Sequence, residues 1–195
     1  MSLKILLIDT DAGRAEALQR KLLEAGFSDV SRVVGGDRLI EAVERVQPDL
    51  IIIDMALPDR DTLEDIRNLS ANVPRPIVMF SDKDDPAFVD EAIAAGVCSY
   101  NLSGIANQEV KPIVASAIAL FRRYRHVETE LAAAKALLDE RRLLERAKAI
   151  LMRDRKMTEP EAYRWLQRKA MNENRKLSQI VLEFVKKEET DARRV

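Results

Sequence analysis

Two patterns of apolar residues divide the chain. In about the first 105 residues, short apolar runs alternate with stretches in which apolar residues recur every three or four positions. The runs are typical of buried parallel strands, and the wider spacing is typical of helices with one apolar face. We therefore predict an α/β fold, a doubly wound five-stranded parallel sheet. The predicted strands are Leu3–Ile8, Asp29–Val34, Leu50–Ile53, Ile77–Phe80 and Val97–Leu102.

The rest of the chain follows the helical pattern only. Neither Gly nor Pro interrupts residues 113–159, which indicates one long helix. Its apolar residues recur at alternating spacings of four and three, as in a coiled coil, so we predict a parallel homodimer through this helix. The alternative is that this seam packs on its own chain. The seam comprises Leu120, Tyr124, Val127, Leu131, Ala134 and Leu138.

Two shorter helices are predicted near the C-terminus. Thr158 and Glu161 have the spacing of a capping box, with Pro160 in the first turn. A polar break then precedes a final helix over Leu177–Val185. We predict three parts of the chain, which are a domain at 1–120, a coiled-coil linker helix at 121–139 and an all-α three-helix domain at 140–190.

The charges are distributed unevenly between these parts. Residues 1–119 contain 12 Lys and Arg against 20 Asp and Glu, whereas residues 120–195 contain 20 against 13. A basic half suggests a polyanionic partner such as nucleic acid, although a solvated charged face is the simpler interpretation.

Acidic and hydroxyl side chains follow four of the predicted strands. Asp9 follows the first strand, Asp54 the third, and Ser81 and Ser103 the fourth and fifth. Ligands of doubly wound sheets bind beyond the carboxyl ends of the strands, so these residues form a candidate site. The segments around them resemble the receiver domains of two-component response regulators, which have a flavodoxin-like fold. These segments are LLID at 6–9, IIIDMALPDRD at 51–61, PIVMFS at 76–81 and AAGVCSYNLS at 94–103.

The resemblance implies a role for each residue. Asp54 matches the aspartate that accepts a phosphoryl group, Asp9 matches one of the acidic residues that hold Mg²⁺, and Ser81 matches a hydroxyl residue that contacts the phosphoryl group. Two positions differ, because Thr10 replaces the second acidic residue and Ser103 replaces a lysine. Mg²⁺ prefers carboxylate oxygens, and phosphoryl transfer needs positive charge. We therefore expect a weakened Mg²⁺ site at Asp9 and Asp54, no required cofactor and impaired phosphorylation.

The C-terminal helices resemble the ANTAR domain, whose members bind paired leader-RNA hairpins and prevent a terminator from forming. The matching segments are LLERAKAILM at 143–152, EAYRWLQRKAM at 161–171 and KLSQIVLEFV at 176–185. The motif predicts a core of Ala147, Leu151, Met152, Ala162, Leu166, Ala170 and Met171. The predicted RNA contacts, which are mainly phosphate contacts, are Lys148, Arg153, Arg164, Arg168, Lys169, Asn172 and Arg175.

The order of receiver and ANTAR segments resembles the AmiR/NasT class of transcription antiterminators. PRPIVMFSDKDDP at 74–86 and the serine at position 103 are most similar to its nitrate-assimilation members. In those proteins a separate nitrate- or nitrite-sensing protein holds the regulator inactive until its ligand binds. The resemblance thus implies control by a partner protein rather than by efficient phosphorylation.

Two other functions are compatible with the same residues. One is a two-component DNA-binding transcriptional regulator that is switched by phosphorylation at Asp54, and the other is an adaptor whose basic helices bind an acidic protein. An enzyme is not expected, because the chain has no nucleophile–base pair, metal cluster or glycine-rich phosphate loop. A single cysteine, Cys98, and the absence of a long apolar segment indicate a cytoplasmic protein with no membrane association.

Overall fold

The computed structural model describes residues 3–34, 39–58, 60–103 and 109–192. The chain forms two compact units, Met1–Arg125 and His126–Val195. Within the described residues, no helix is both long enough and apolar enough to cross a membrane.

The first unit is built on one parallel sheet of five strands. Their order across the sheet is β2-β1-β3-β4-β5, and each neighbouring pair is parallel. This confirms the predicted doubly wound sheet, and each strand differs from its predicted bounds by at most two residues at either end. The strands are β1 Lys4–Asp9, β2 Asp29–Val34, β3 Leu50–Asp54, β4 Ile77–Ser81 and β5 Ser99–Leu102.

Helices cover both faces of the sheet, so successive side chains of a central strand enter two separate cores. In β3, Ile51 and Ile53 pack with α2, α3 and α4, whereas Leu50 and Ile52 pack with α1 and the start of α5. Burial on both faces explains why this strand is a continuous apolar run. The helices are α1 Ala12–Glu24, α2 Leu39–Val46, α3 Arg60–Asn72, α4 Pro86–Ala95 and α5 Val110–Arg155.

The second unit has a small helical core. The C-terminal part of α5 packs with α6 (Glu159–Asn172) and α7 (Leu177–Ala192). At the start of α6, the Thr158 backbone N–H donates to the Glu161 carboxylate at 2.8 Å, as the capping box predicts. The core residues are Ala147, Leu151, Ala162, Leu166, Val181, Phe184 and Val185.

Two of the residues predicted to be buried in this unit are exposed instead. Met152 is 40% exposed and Met171 is 80% exposed. Each follows a buried residue directly, Leu151 and Ala170, and one step along a helix turns the next side chain by about 100°. The five large residues of the predicted seam, Leu120, Tyr124, Val127, Leu131 and Leu138, are all more than half exposed.

Candidate functional site

The first candidate site lies at the carboxyl ends of the central strands. Asp9 ends β1 and Asp54 ends β3, and the two residues are directly opposite each other in the parallel register. Asp9, Asp54 and Ser81 are three of the four polar or charged residues that are buried among the described residues. The sheet therefore brings together three predicted site residues that are far apart in the sequence.

Arg14, which sequence reasoning missed, lies between the two carboxylates. Its Nη2 donates to Asp9 Oδ1 at 2.6 Å and its Nε donates to Asp9 Oδ2 at 3.0 Å. The same Nε lies 3.6 Å from Asp54 Oδ1, and Nη2 also reaches the backbone carbonyl of Asp54 at 3.5 Å. Two parallel N–H bonds to one carboxylate are the strongest arginine–carboxylate geometry. The pocket therefore contains its own cation.

The residues after β1 do not add a free carboxylate to this site. Thr10 is exposed, and the Asp11 carboxylate accepts from the Arg14 backbone N–H at 2.9 Å as the N-cap of α1. This backbone hydrogen bond lowers the pKa of Asp11. The Asp11 N–H in turn donates to Asp9 Oδ1 at 2.8 Å, so Asp11 positions Asp9 instead of acting as a second ligand.

Asp54 lies in an environment that disfavours its charge. Its pKa is raised to about 6, mainly by burial and secondarily by the nearby Asp9 carboxylate, while Arg14 acts in the opposite direction. Asp54 Oδ1 has no hydrogen-bond partner among the described residues, and neither has Ser103 Oγ. Ser103 is held by its backbone N–H, which donates to the Ser81 carbonyl at 2.9 Å, and Ser81 Oγ donates to the Ala56 carbonyl at 3.2 Å.

These residues do not fit a Mg²⁺ site. Mg²⁺ requires oxygen ligands in near-octahedral geometry at about 2.0–2.1 Å, usually carboxylates and waters. Both oxygens of Asp9 accept hydrogen bonds from Arg14, and Asp9 Oδ1 also accepts one from Asp11. No cluster of three or more potential ligand residues (His, Cys, Asp or Glu) occurs in the described part of the chain. Neither Asp9 nor Asp54 is therefore assigned as a metal ligand in this geometry.

The second candidate site is the basic surface of the helical unit. Arg164 and Arg168 are exposed and one turn apart on α6, and neither forms an ion pair with a residue that the structure describes. Such arginines can contact phosphate without first losing a protein partner. Asn172, one further turn along the helix, is also exposed.

Three other predicted contacts already have partners on the protein surface. Arg153 Nε pairs with Asp154 at 2.6 Å, Lys169 Nζ lies 3.8 Å from Glu173, and Arg175 Nη1 pairs with Glu183 at 2.7 Å. Surface ion pairs of this kind contribute only about 0–1 kcal/mol, so phosphate can compete for these side chains.

Lys148 is the predicted contact that disagrees with the structure. It is 8% exposed, and its Nζ bonds Glu145 at 2.7 Å and Glu159 at 2.6 Å. Both ion pairs raise its pKa. Lys148 follows the core residue Ala147 in α5, and Glu159 is the first residue of α6. The lysine thus connects two helices and does not offer its charge to solvent.

Sequence reasoning also missed an aromatic member of this surface. The Arg155 guanidinium lies 4.5 Å from the centre of the Trp165 ring, and Lys169 Nζ lies 5.5 Å from it. Trp165 also packs against the helical core and lies 5.7 Å from Phe184 between ring centres. Cations close to an aromatic face are attracted to its π electrons, so Trp165 holds two positive charges near Arg168.

Comparison with known families agrees with this two-unit geometry. Residues 5–111, more than half of the chain, match the response regulator receiver domain, and residues 132–184 match the ANTAR domain. The chain therefore belongs to the response regulators that join a receiver domain to an ANTAR domain, the composition of RNA-binding antiterminators. These are regulatory proteins, not typically enzymes.

Individual relatives agree with this assignment. The transcriptional regulatory protein PdtaR of Mycobacterium tuberculosis is 30% identical over 183 residues, which cover 92% of this chain and 89% of PdtaR, so the two proteins are homologues. The DNA-binding response regulator MtrA of the same species is 32% identical over 123 residues, 63% of this chain and 52% of MtrA.

Solved structures share the fold of the first unit. The receiver domain of a modulated diguanylate cyclase from Desulfovibrio desulfuricans matches with a TM-score of 0.53 at 22% identity, covering 63% of this chain and 98% of that domain. A pilus assembly-related protein from Burkholderia pseudomallei matches with a TM-score of 0.54 at 25% identity, covering 61% of this chain and 91% of that protein.

Proposed function

We propose that this protein binds leader-RNA hairpins through its ANTAR domain and so prevents formation of a transcription terminator. The observation that carries the proposal is the ANTAR match at 132–184 together with Arg164 and Arg168 on α6, which are exposed and form no ion pair with a described residue. The contact surface consists of Arg153, Arg155, Arg164, Arg168, Lys169, Asn172 and Arg175. We call it the basic face.

The basic face is suited to a phosphate backbone held in a defined shape. Arg164 and Arg168 lie on the same side of α6, where side chains four residues apart are neighbours. RNA helices display phosphates and 2′-hydroxyls along a shallow groove, so specificity comes from hairpin shape and from exposed loop bases. Trp165, with its two cations, is the candidate to contact such a base.

A salt-titrated binding assay tests this proposal. The full chain is measured against a two-hairpin leader RNA, with duplex DNA of equal length as control. For Arg164→Ala combined with Arg168→Ala, we expect RNA affinity to fall at least about tenfold and the salt slope to decrease by roughly two phosphate contacts. Arg142→Ala is the control variant, because Arg142 is an exposed arginine of α5 outside the basic face. Equal loss in the control, or equal binding of RNA and DNA, would contradict the proposal.

The binding measurement with duplex DNA also tests a second candidate function. That second candidate is a DNA-binding regulator that is switched by phosphorylation at Asp54, and its support is the similarity of 123 residues to MtrA, a DNA-binding response regulator. A clear preference for duplex DNA would support this alternative. Binding of neither nucleic acid, with capture of an acidic protein partner, would instead support an adaptor.

We also propose that the protein is a parallel homodimer through α5, with a linker at 121–139 between a receiver domain at 1–120 and the RNA-binding domain at 140–190. The exposed seam residues, such as Leu131 and Leu138, form an apolar stripe at coiled-coil spacing, which a second copy of the same helix would cover. Leu131→Asp with Leu138→Asp should give a monomer in sedimentation experiments. Leu137→Asp is the matched control, because Leu137 is exposed but outside the seam.

We propose that a nitrate- or nitrite-sensing protein controls this regulator by binding it and releasing it. The support is the resemblance of residues 74–86 to nitrate-assimilation antiterminators, together with a receiver pocket that has no lysine at Ser103 and already contains Arg14. In an antitermination reporter, Asp54→Ala should keep induction by nitrate within about twofold, since no phosphoryl step is needed. Complete loss of induction by Asp54→Ala in a folded protein would restore phosphorylation as the switch.

A further inference from the structure

Arg14 provides a positive charge at the point where receiver domains hold a metal ion. We propose that the Arg14 guanidinium is the permanent counter-ion of Asp9 and Asp54, that it excludes divalent cations from the native pocket, and that removing it creates a Mg²⁺-binding site. This inference concerns the receiver pocket alone and is independent of RNA binding.

The hydrogen bonds of Asp9 are the first reason. Arg14 takes up one lone pair on each Asp9 oxygen, at 2.6 and 3.0 Å, and the Asp11 N–H takes up another on Oδ1 at 2.8 Å. A magnesium ion would have to approach the same oxygens to about 2.1 Å from the side where the guanidinium lies. The two cations therefore compete for one position.

The position of Asp54 is the second reason. Arg14 Nε is 3.6 Å from Asp54 Oδ1, so the guanidinium interacts with the second carboxylate at the same time. A dication in the pocket would be repelled by this fixed charge at short range, where little water screens the interaction. Arginine suits such a position because its guanidinium stays charged at any physiological pH.

The pocket would nevertheless offer ligands to a metal ion if Arg14 were absent. Asp54 Oδ1 is buried and has no hydrogen-bond partner among the described residues, and Asp9 lies directly opposite in the sheet. Removing the guanidinium would leave these two carboxylates facing each other without a counter-ion. Two carboxylates and several waters are a sufficient Mg²⁺ ligand set.

The test uses the full chain and Mn²⁺ as a spectroscopic substitute for Mg²⁺. Free Mn²⁺ is measured by electron paramagnetic resonance in the wild type and in Arg14→Met, which keeps the side-chain bulk and removes the charge. Lys21→Met is the matched control, because Lys21 is also a basic residue of α1 and lines the same cavity beside Asp54 and Ser103. Asp9→Asn is measured alone and combined with Arg14→Met.

We expect Arg14→Met to bind one Mn²⁺ at least about tenfold more tightly than the wild type or Lys21→Met, with displacement by Mg²⁺. Adding Asp9→Asn should abolish this binding. The proposal is overturned if the wild type binds one Mn²⁺ as tightly as Arg14→Met and Asp9→Asn removes it. It is also overturned if folded Arg14→Met binds no more tightly than the wild type. If Arg14→Met does not fold, Arg14→Gln is compared with the wild type instead. The Mn²⁺ measurement on the wild type tests the proposal even if neither variant folds.

Discussion

The arginines of the two units have opposite environments. Arg14 is turned inward and bonds a fully buried carboxylate, whereas Arg164 and Arg168 face solvent and form no ion pair with any described residue. The charge of Arg14 is therefore neutralised inside the fold, and the charges of α6 remain available to an external polyanion. The comparison shows that a residue count does not reveal what a basic residue does. Net charge becomes a functional argument only when the partner of each charge is known.

The largest expected effect is the loss of the inward-facing arginine. Arg14→Ala leaves Asp9 buried without its cation, and breaking a buried pair in this way costs about 3–5 kcal/mol. Because the Arg14 side chain is 26% exposed, we expect about 2–3 kcal/mol of lost unfolding free energy. Urea unfolding of both proteins in the presence of EDTA measures this difference in unfolding free energy. RNA affinity per folded molecule should be unchanged, and a large loss of affinity would show that the two arginine environments are not independent.

A smaller effect of opposite sign is expected at Asp54. Its pKa is raised to about 6, so the native state holds a proton that the unfolded state releases near pH 4. Stability therefore falls as pH rises from about 4 to 6, and the destabilisation is fully present above that range. Asp54→Asn should raise the unfolding free energy by about 1–2 kcal/mol at pH 7.5 and have almost no effect at pH 4. An equal effect at both pH values would contradict the assigned cause.

A third prediction concerns Lys148, which is a buried and ion-paired basic residue of the helical unit. Lys148→Met removes both ion pairs and keeps the aliphatic stem, so we expect a lower melting temperature for this unit. RNA affinity of the folded variant should stay within about twofold of the wild type, since the charge is already neutralised. A loss comparable to that of the Arg164 and Arg168 double variant would restore Lys148 as an RNA contact.

The smallest expected effect is the change in unfolding free energy when two arginines of the basic face are replaced. Combining Arg164→Ala with Arg168→Ala removes two solvated charges that form no ion pair with any described residue, so the unfolding free energy should change by no more than about 0.5 kcal/mol. Denaturant unfolding alongside the binding assay gives both quantities for the same protein. A clear loss of stability would mean that reduced RNA binding could not be attributed to the contacts alone.

Sequence patterns predicted the sheet well because burial on both faces requires long apolar runs, and such runs are directly visible. The same reasoning placed Asp9, Asp54 and Ser81 together, because parallel strands bring their carboxyl ends to one edge. The partner of Asp9 was not predictable in this way. Arg14 is only five positions away, but its contact depends on how α1 leaves β1 and on the side-chain conformation, which no periodicity encodes.

The helical unit shows a second limit. Lys148 belongs to a basic run that composition assigns to solvent, yet it lies three residues before the core residue Leu151, on the same side of α5, and its ammonium group pairs with two glutamates. Long charged side chains commonly bury their aliphatic part in this manner. The prediction for Met171 was wrong in the opposite direction, because this apolar residue at a motif position was assigned to the core but is 80% exposed.

The guanidinium of Arg14 belongs to the chain and does not diffuse. Its association with Asp9 forms when the domain folds and is lost when the domain unfolds, so the pocket contains this cation for as long as the domain is folded. If Arg14 excludes the metal ion as proposed, this pocket would not keep a phosphoryl group on Asp54 as a record of a past stimulus. A signal received through a bound partner would then last as long as that complex, and its duration would be set by a dissociation rate and not by the lifetime of a covalent bond.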